Sequence, residues 1–178
     1  MSAAEVHVFT FKEGILARLA HDLRLSARRF EISRAGAELR GRFWVDSLMV
    51  DGVVRDGRLD PSSPSPDDRA TIRRNIAAEI LHTARYPTID FEGRLEGESV
   101  VGSLTLVGKT CPVRAALRRE RDRLRSEWTL IPSRWGIPPY KALAGAIRLQ
   151  DRVVVVLDLP ALPGGETTTP DPCTWTGS

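Results

Sequence analysis

Cysteine is scarce in this sequence, which has only Cys111 and Cys173. Two residues so far apart give none of the paired short spacings of a structural zinc site. One of them falls in what reads as a loose tail, so no disulfide is expected between them. Histidine is nearly as rare. His7, His21 and His82 are scattered, with no HxH or HxxxH pair, and no metal is expected. Lysine is reduced to Lys12, Lys109 and Lys141, so the formal charge of +3 comes almost entirely from arginine. Asp and Glu are interleaved with the arginines, which is unlike the concentrated basic footprint of a nucleic-acid binder. No apolar run approaches the ~20 residues a bilayer helix needs. The first residues, Met-Ser-Ala-Ala-Glu-Val-His, lack the charged leader and apolar stretch of a secretory signal. These absences leave a soluble, folded, cytoplasmic chain as the expectation.

What the sequence does have is period-2 alternation. Val6, Val8 and Thr10 oppose His7, Phe9 and Phe11; Leu23, Leu25 and Ala27 oppose Arg24, Ser26 and Arg28; Leu39, Gly41, Phe43 and Val45 oppose Arg40, Arg42, Trp44 and Asp46. Each reads as a half-buried strand, with Ser33, Arg34 and Gly36 supplying a turn between the second and third. The stretch from Leu59 to Pro66, LDPSSPSP, reads as a loop. From Asp67 to Leu81, Ile72, Ile76, Glu79 and Ile80 fall at helical spacing behind acidic first-turn residues, predicting one amphipathic helix. Tyr86-Pro87 straightens the chain, and strands follow at residues 88–95, 100–107, 112–120, 124–131 and 147–159. The count is eight, and eight antiparallel strands close into a lipocalin-like barrel wide enough for one small ligand. Residues 5–160 form this single domain and residues 161–178 a flexible tail.

Chemistry-bearing patterns are weak. His21 beside Asp22 suggests a general base, but adjacent strand residues face opposite ways and no nucleophile is identifiable nearby. A hydrogen bond at the barrel mouth suits His21 better. The aromatics Phe9, Phe11, Phe43, Trp44, Phe91, Trp128, Trp135 and Tyr140 are more informative as a set. They either fill the barrel or line a tunnel, and Gly41, Gly102 and Gly145 favour the tunnel by leaving gaps. In the last strand Val153, Val155, Leu157 and Leu159 occupy one face, and Val154 and Val156 the other. The second apolar face needs cover, so a homodimer is expected.

Three segments, Ala20-His21-Asp22-Leu23, Val45-Asp46-Ser47-Leu48, and Ile76 to Phe91 with Thr83-Ala84-Arg85-Tyr86-Pro87, carry a family resemblance. So do Gly102-Ser103-Leu104-Thr105 with Gly108-Lys109-Thr110 and Pro112-Val113, Gly136-Ile137, and Asp151-Arg152-Val153. Over roughly Glu5 to Leu159 the sequence resembles the YceI-like family. Ahead of the helix, where that family has Arg-Asp-x-His-Leu, this chain has Arg69, Ile72 and Arg73. The resemblance implies an extended lipocalin-like barrel, often dimeric, that binds a polyisoprenoid, an isoprenoid quinone or a fatty-chain lipid without catalysis.

Binding of an elongated amphiphile is therefore the leading expectation, with no cofactor. Phe9, Phe11, Phe43, Phe91, Trp128, Trp135 and Tyr140 are expected to hold its tail, and His21, Arg24 and Lys141 its head. The alternatives are an enzyme acting on a lipid or small hydrophobic substrate, and a scaffold with a filled core.

Overall fold

The computed structural model describes residues 4–13, 22–142, 145, 147–161 and 173–177. Among these residues thirteen strands form one antiparallel sheet: β1 (Glu5–Glu13), β2 (Asp22–Ala27), β3 (Phe30–Ala35), β4 (Glu38–Trp44), β5 (Leu48–Arg55), β6 (Arg58–Asp60), β7 (Thr88–Glu96), β8 (Ser99–Leu106), β9 (Lys109–Glu120), β10 (Arg123–Leu130), β11 (Lys141–Ala142), β12 (Ile147–Pro160) and β13 (Cys173–Gly177). The ladder runs β13-β3-β4-β7-β8-β9-β10-β12-β1-β2-β5-β6, with β11 paired to β12. Although β3 lies near one end of this order and β1 and β12 lie well along it, Phe30 and Ile32 pack with Val6 and Leu159 in one cluster. Only a rolled sheet brings those side chains together.

The roll does not close, because among the described residues the ladder ends at β13 and β6. The eight-stranded closed barrel expected from the sequence is therefore corrected to an open, rolled sheet. Two strands that period 2 did not separate account for much of the difference. In β3, Phe30 and Ile32 are buried against Glu31 outside, but the strand is short and follows β2 after two residues. In β5, Val50, Gly52 and Val53 are buried, so the alternation breaks. The break coincides with a register shift between Arg24 and Leu25 on the partner strand, a bulge that places one extra residue, Asp51, on the β5 side. Asp56 and Gly57, both at positive φ (49° and 74°), make the tight turn into β6. Part of the segment read as a tail, Cys173–Gly177, pairs with Phe30–Arg34.

Helix α1 spans Pro66–Asn75 and continues as a π-helical turn over Ile76–Ile80. Ser65 caps it by accepting from the Asp68 amide at 3.2 Å, with Pro66 at the first position and acidic residues in the first turn. The helix docks on β5 through arginines. Arg69 donates to the carbonyls of Val50 (3.0 Å), Asp51 (2.9 Å) and Pro64 (2.9 Å), and Arg73 to that of Leu48 (3.1 Å). Those of Leu48, Val50 and Asp51 are carbonyls of an outer strand, which the sheet itself leaves without partners along that stretch. None of the helices among the described residues is long and apolar enough to cross a membrane. Cys111 is buried and free, its Sγ donating to the Arg134 carbonyl; the side chain of Cys173 lies outside the described residues.

On the concave face, Gly93 and Gly102 face each other across β7 and β8. A Cβ on Gly102 would come within 2.6 Å of Gly93 Cα and 2.8 Å of Phe91 Cζ, and would strike the Glu92 carbonyl. The glycine pair is thus the floor on which the Phe91 ring lies, and the gap expected at Gly102 is filled by that ring. Gly102→Ala is expected to lower stability by about 1–3 kcal/mol through overpacking, read as a lower denaturation midpoint. An unchanged midpoint would mean that the backbones of β7 and β8 spread to admit the methyl group at little cost.

Candidate functional site

The rolled sheet encloses a cavity of about 910 Å³. An apolar void of about 150 Å³ already accepts a small aromatic molecule, and small-molecule sites run from roughly 300 to 1,000 Å³, so this volume is far beyond a packing defect. The walls are aliphatic and aromatic. Val6 and Val8 come from β1, Leu23 and Leu25 from β2, Leu39 and Phe43 from β4, Phe91 from β7, Leu104 from β8, Trp128 from β10, and Val153, Val155 and Leu157 from β12. Ile72, Ile76 and Ile80 of α1 and its π-helical turn face the same space and cover part of it. The helical spacing read from the sequence is what aligns those three isoleucines.

Register decides which side chains point in. Val8 lies opposite Leu25 on β2 and Val155 on β12, and all three line the cavity. Phe9 lies opposite Arg24 and Val154, on the convex face. The expectation that Phe9 and Arg24 contact ligand is therefore corrected: the valine face of β1 turns inward. Phe11 is also absent from the lining; it lies under the Arg152 guanidinium, 4.1 Å from its ring centroid. Trp135 is 3% exposed, donates its indole N–H to the Leu104 carbonyl at 2.9 Å and belongs to the packed core. Phe43, Phe91, Trp128 and Tyr140 line the cavity, as does Gly41. The Phe91 and Trp128 rings meet edge to face, 5.4 Å apart. Lys141 lines a smaller neighbouring pocket, and His21 lies outside the described residues.

A feature that alternation missed is the run Leu149 to Val153, five consecutive residues that all border the cavity. Between Thr10 and Lys12 the pairing of β1 with β12 skips from Val153 to Leu149. The bulge turns Gln150, Asp151 and Arg152 toward the cavity edge, where strict period 2 would have sent every other one away. Asp151 accepts hydrogen bonds from the Ser133 amide and hydroxyl, which fixes it to the loop before Trp135.

The convex face carries a histidine, a serine and a carboxylate in contact. His7 Nδ1 is 3.1 Å from Ser26 Oγ, and His7 Nε2 is 3.0 Å from Glu5 Oε2. The composition suits nucleophilic catalysis, but the wiring does not. Ser26 is 6% exposed and donates its proton to Asp51 at 2.5 Å, so a deprotonated Ser26 would face a carboxylate. Asp51, whose side chain is 7% exposed, also accepts from Arg24 at 2.9 Å and Arg28 at 3.3 Å. This cluster braces β1, β2 and β5 together. Elsewhere, hydrogen bonds from the Ser62 hydroxyl and amide hold the Asp60 carboxyl below the usual range, and Arg42 and Arg94 are raised by hydrogen bonds to Asp90 and Glu96; all three groups stand outside the cavity. Among the described residues no three His, Cys, Asp or Glu side chains are grouped so as to hold a metal ion.

No family model and no curated protein matches the sequence. Solved structures do match the fold. BcnA of Burkholderia cenocepacia superposes with a TM-score of 0.57 at 13% identity, over 89% of this chain and 96% of that one. A polyisoprenoid binding domain from Saccharophagus degradans, implicated in plant cell wall breakdown, gives 0.56 at 12% identity, over 89% and 94%. At these identities the likeness is one of fold, and the described residues share the fold of BcnA and of that polyisoprenoid binding domain.

Proposed function

We propose that the protein binds and carries an elongated amphiphile, a polyisoprenoid or fatty-chain lipid, inside the rolled sheet and leaves it chemically unchanged. The observation that supports this reading is the apolar cavity of about 910 Å³, lined from nearly every strand. A chain entering it exchanges water for aliphatic and aromatic walls at about 0.8 kcal/mol per methylene. Ten buried methylenes correspond to about 8 kcal/mol, the gross energy of a micromolar complex, before the costs of association are subtracted. The ligand class named for the Saccharophagus degradans domain fits such a space.

Mass spectrometry of small molecules extracted from the purified protein tests the reading. A long-chain amphiphile is expected at near-stoichiometric level, and the emptied protein is expected to take one up again. Extracts without such a molecule, together with no uptake of added isoprenoid or fatty chains, would remove the proposal. Turnover of an added lipid ester by the purified protein would replace it with an enzymatic one.

A further inference from the structure

A second, smaller pocket of about 190 Å³ adjoins the large cavity. The two share Ile80, Ile137, Pro138, Pro139 and Tyr140 in their linings, so they lie on either side of one thin partition. The small pocket adds polar groups that the large one lacks: Glu79, His82 and Lys141. The roles of Glu79 and Lys141 follow from their chemistry, and those of His82 and the shared Tyr140 from their partners. Tyr140 accepts from Asn75 Nδ2 at 3.0 Å through its hydroxyl oxygen, which leaves its own proton to donate. His82 Nδ1 lies 3.0 Å from the Ala78 carbonyl. A carbonyl only accepts, so Nδ1 carries the hydrogen and Nε2 of the neutral ring is an acceptor. Lys141 donates and the Glu79 carboxylate accepts.

We propose that this pocket holds the head of the bound amphiphile, and that the head is an uncharged oxygenated group, an alcohol or similar donor-acceptor function. The inference rests on the carrier reading above and deepens it. The two formally charged side chains lining the pocket, Lys141 and Glu79, oppose each other in sign. Such a pocket offers no net attraction to an anion, and a phosphate placed against Lys141 would share the space with a carboxylate. A hydroxyl group, by contrast, accepts from Tyr140 or Lys141 while donating to His82 Nε2 or Glu79. With the head there, the tail reaches the large cavity where Ile80 and Tyr140, which line both spaces, part to let it through. The backbone around the pocket is unusually shaped for this task. Ile76–Ile80 is π-helical, and His82 and Val107 have positive φ (47° and 50°); strained backbone of this kind collects at ligand sites.

Displacement of a fluorescent fatty probe would measure three ligands with one skeleton: a diterpene-length isoprenoid alcohol, its phosphate monoester and the parent hydrocarbon. The alcohol is expected to bind about fivefold tighter than either of the others, the worth of roughly one net hydrogen bond. Tyr140→Phe keeps the ring and removes the proton, and should erase about that fivefold for the alcohol while leaving the hydrocarbon unchanged. Lys141→Met should reduce the alcohol's advantage without improving the phosphate ester. Tighter binding of the phosphate ester, or equal losses for alcohol and hydrocarbon in Tyr140→Phe, would overturn the head site and leave the carrier reading standing. Failure of all three ligands to bind would overturn both.

Discussion

Filling the cavity with Val8→Trp and Leu39→Trp is expected to weaken retention of a long-chain amphiphile by roughly a hundredfold while the protein stays folded. Val8 on β1 and Leu39 on β4 belong to strands separated along the ladder, and both project into the same space. An indole on each removes room for about four methylenes, or about 3 kcal/mol of burial at ~0.8 kcal/mol apiece. The added rings enter a void rather than a packed core, so the usual cost of overpacking is small, about 1 kcal/mol or less. Circular dichroism and a denaturant midpoint check the fold, and extraction followed by mass spectrometry reads the ligand. Phe9→Ala serves as the comparison. Phe9 is an aromatic that sequence alone places in the binding set but that stands on the convex face, so its loss should leave retention within about twofold. Retention that survives filling, or that falls as far with Phe9→Ala, would place the ligand elsewhere. Filling is a cleaner probe than a polar substitution at Trp128, which is 8% exposed and packs with Phe91 in the core.

Asp51→Ala should destabilise the protein by about 3 kcal/mol. The carboxylate is 7% exposed and is the common acceptor for Arg24, Ser26 and Arg28. Removing one partner of a buried charged cluster typically costs about 3–5 kcal/mol, because the remaining groups keep their desolvation penalty. The lower end applies here, since the Arg28 side chain is 60% exposed and can turn to solvent. Arg24 and the buried Ser26 hydroxyl cannot do so as easily. For a chain of this size the change corresponds to a fall of about 6–12 °C in Tm. Asp51→Asn, which keeps an acceptor oxygen but not the charge, should recover part of the loss. A change below about 1 kcal/mol for Asp51→Ala would show that water replaces the carboxylate and that the cluster is a surface feature.

Much of the fold is legible because it is local. The alternations in β1, β2, β4, β7, β8, β9, β10 and β12, the proline-serine loop after Leu59 and the isoleucine spacing in α1 all appear as read. The strands that were missed have local causes too. In β5 the bulge opposite Arg24 and Leu25 hides the alternation of Val50 and Val53. The Asp56-Gly57 dipeptide, a hairpin signal in its own right, marks where β5 turns back. The seven aromatics read as binding residues divide between the cavity wall and elsewhere. Phe43, Phe91, Trp128 and Tyr140 border the cavity, whereas Phe9, Phe11 and Trp135 do not.

By itself, then, the sequence determined a mainly antiparallel β architecture with one helix, an apolar excess on alternating faces, and the motifs that resemble the YceI-like family. It could not say which face of β1 is the inner one, because Val6 and Val8 are no more apolar than Phe9 and Phe11. That choice is made by the strands on either side. Leu25 and Val155 flank Val8, while Arg24 flanks Phe9. Nor could it say that the sheet rolls without closing, that Asp51 becomes a buried acceptor for three side chains from β2 and its end, or that Tyr140 stands between two pockets. Periodicity is a property of neighbours along the chain, whereas the inside of a rolled sheet is defined by contacts such as Phe30 with Leu159, far apart in sequence and brought together only when the whole ladder curls.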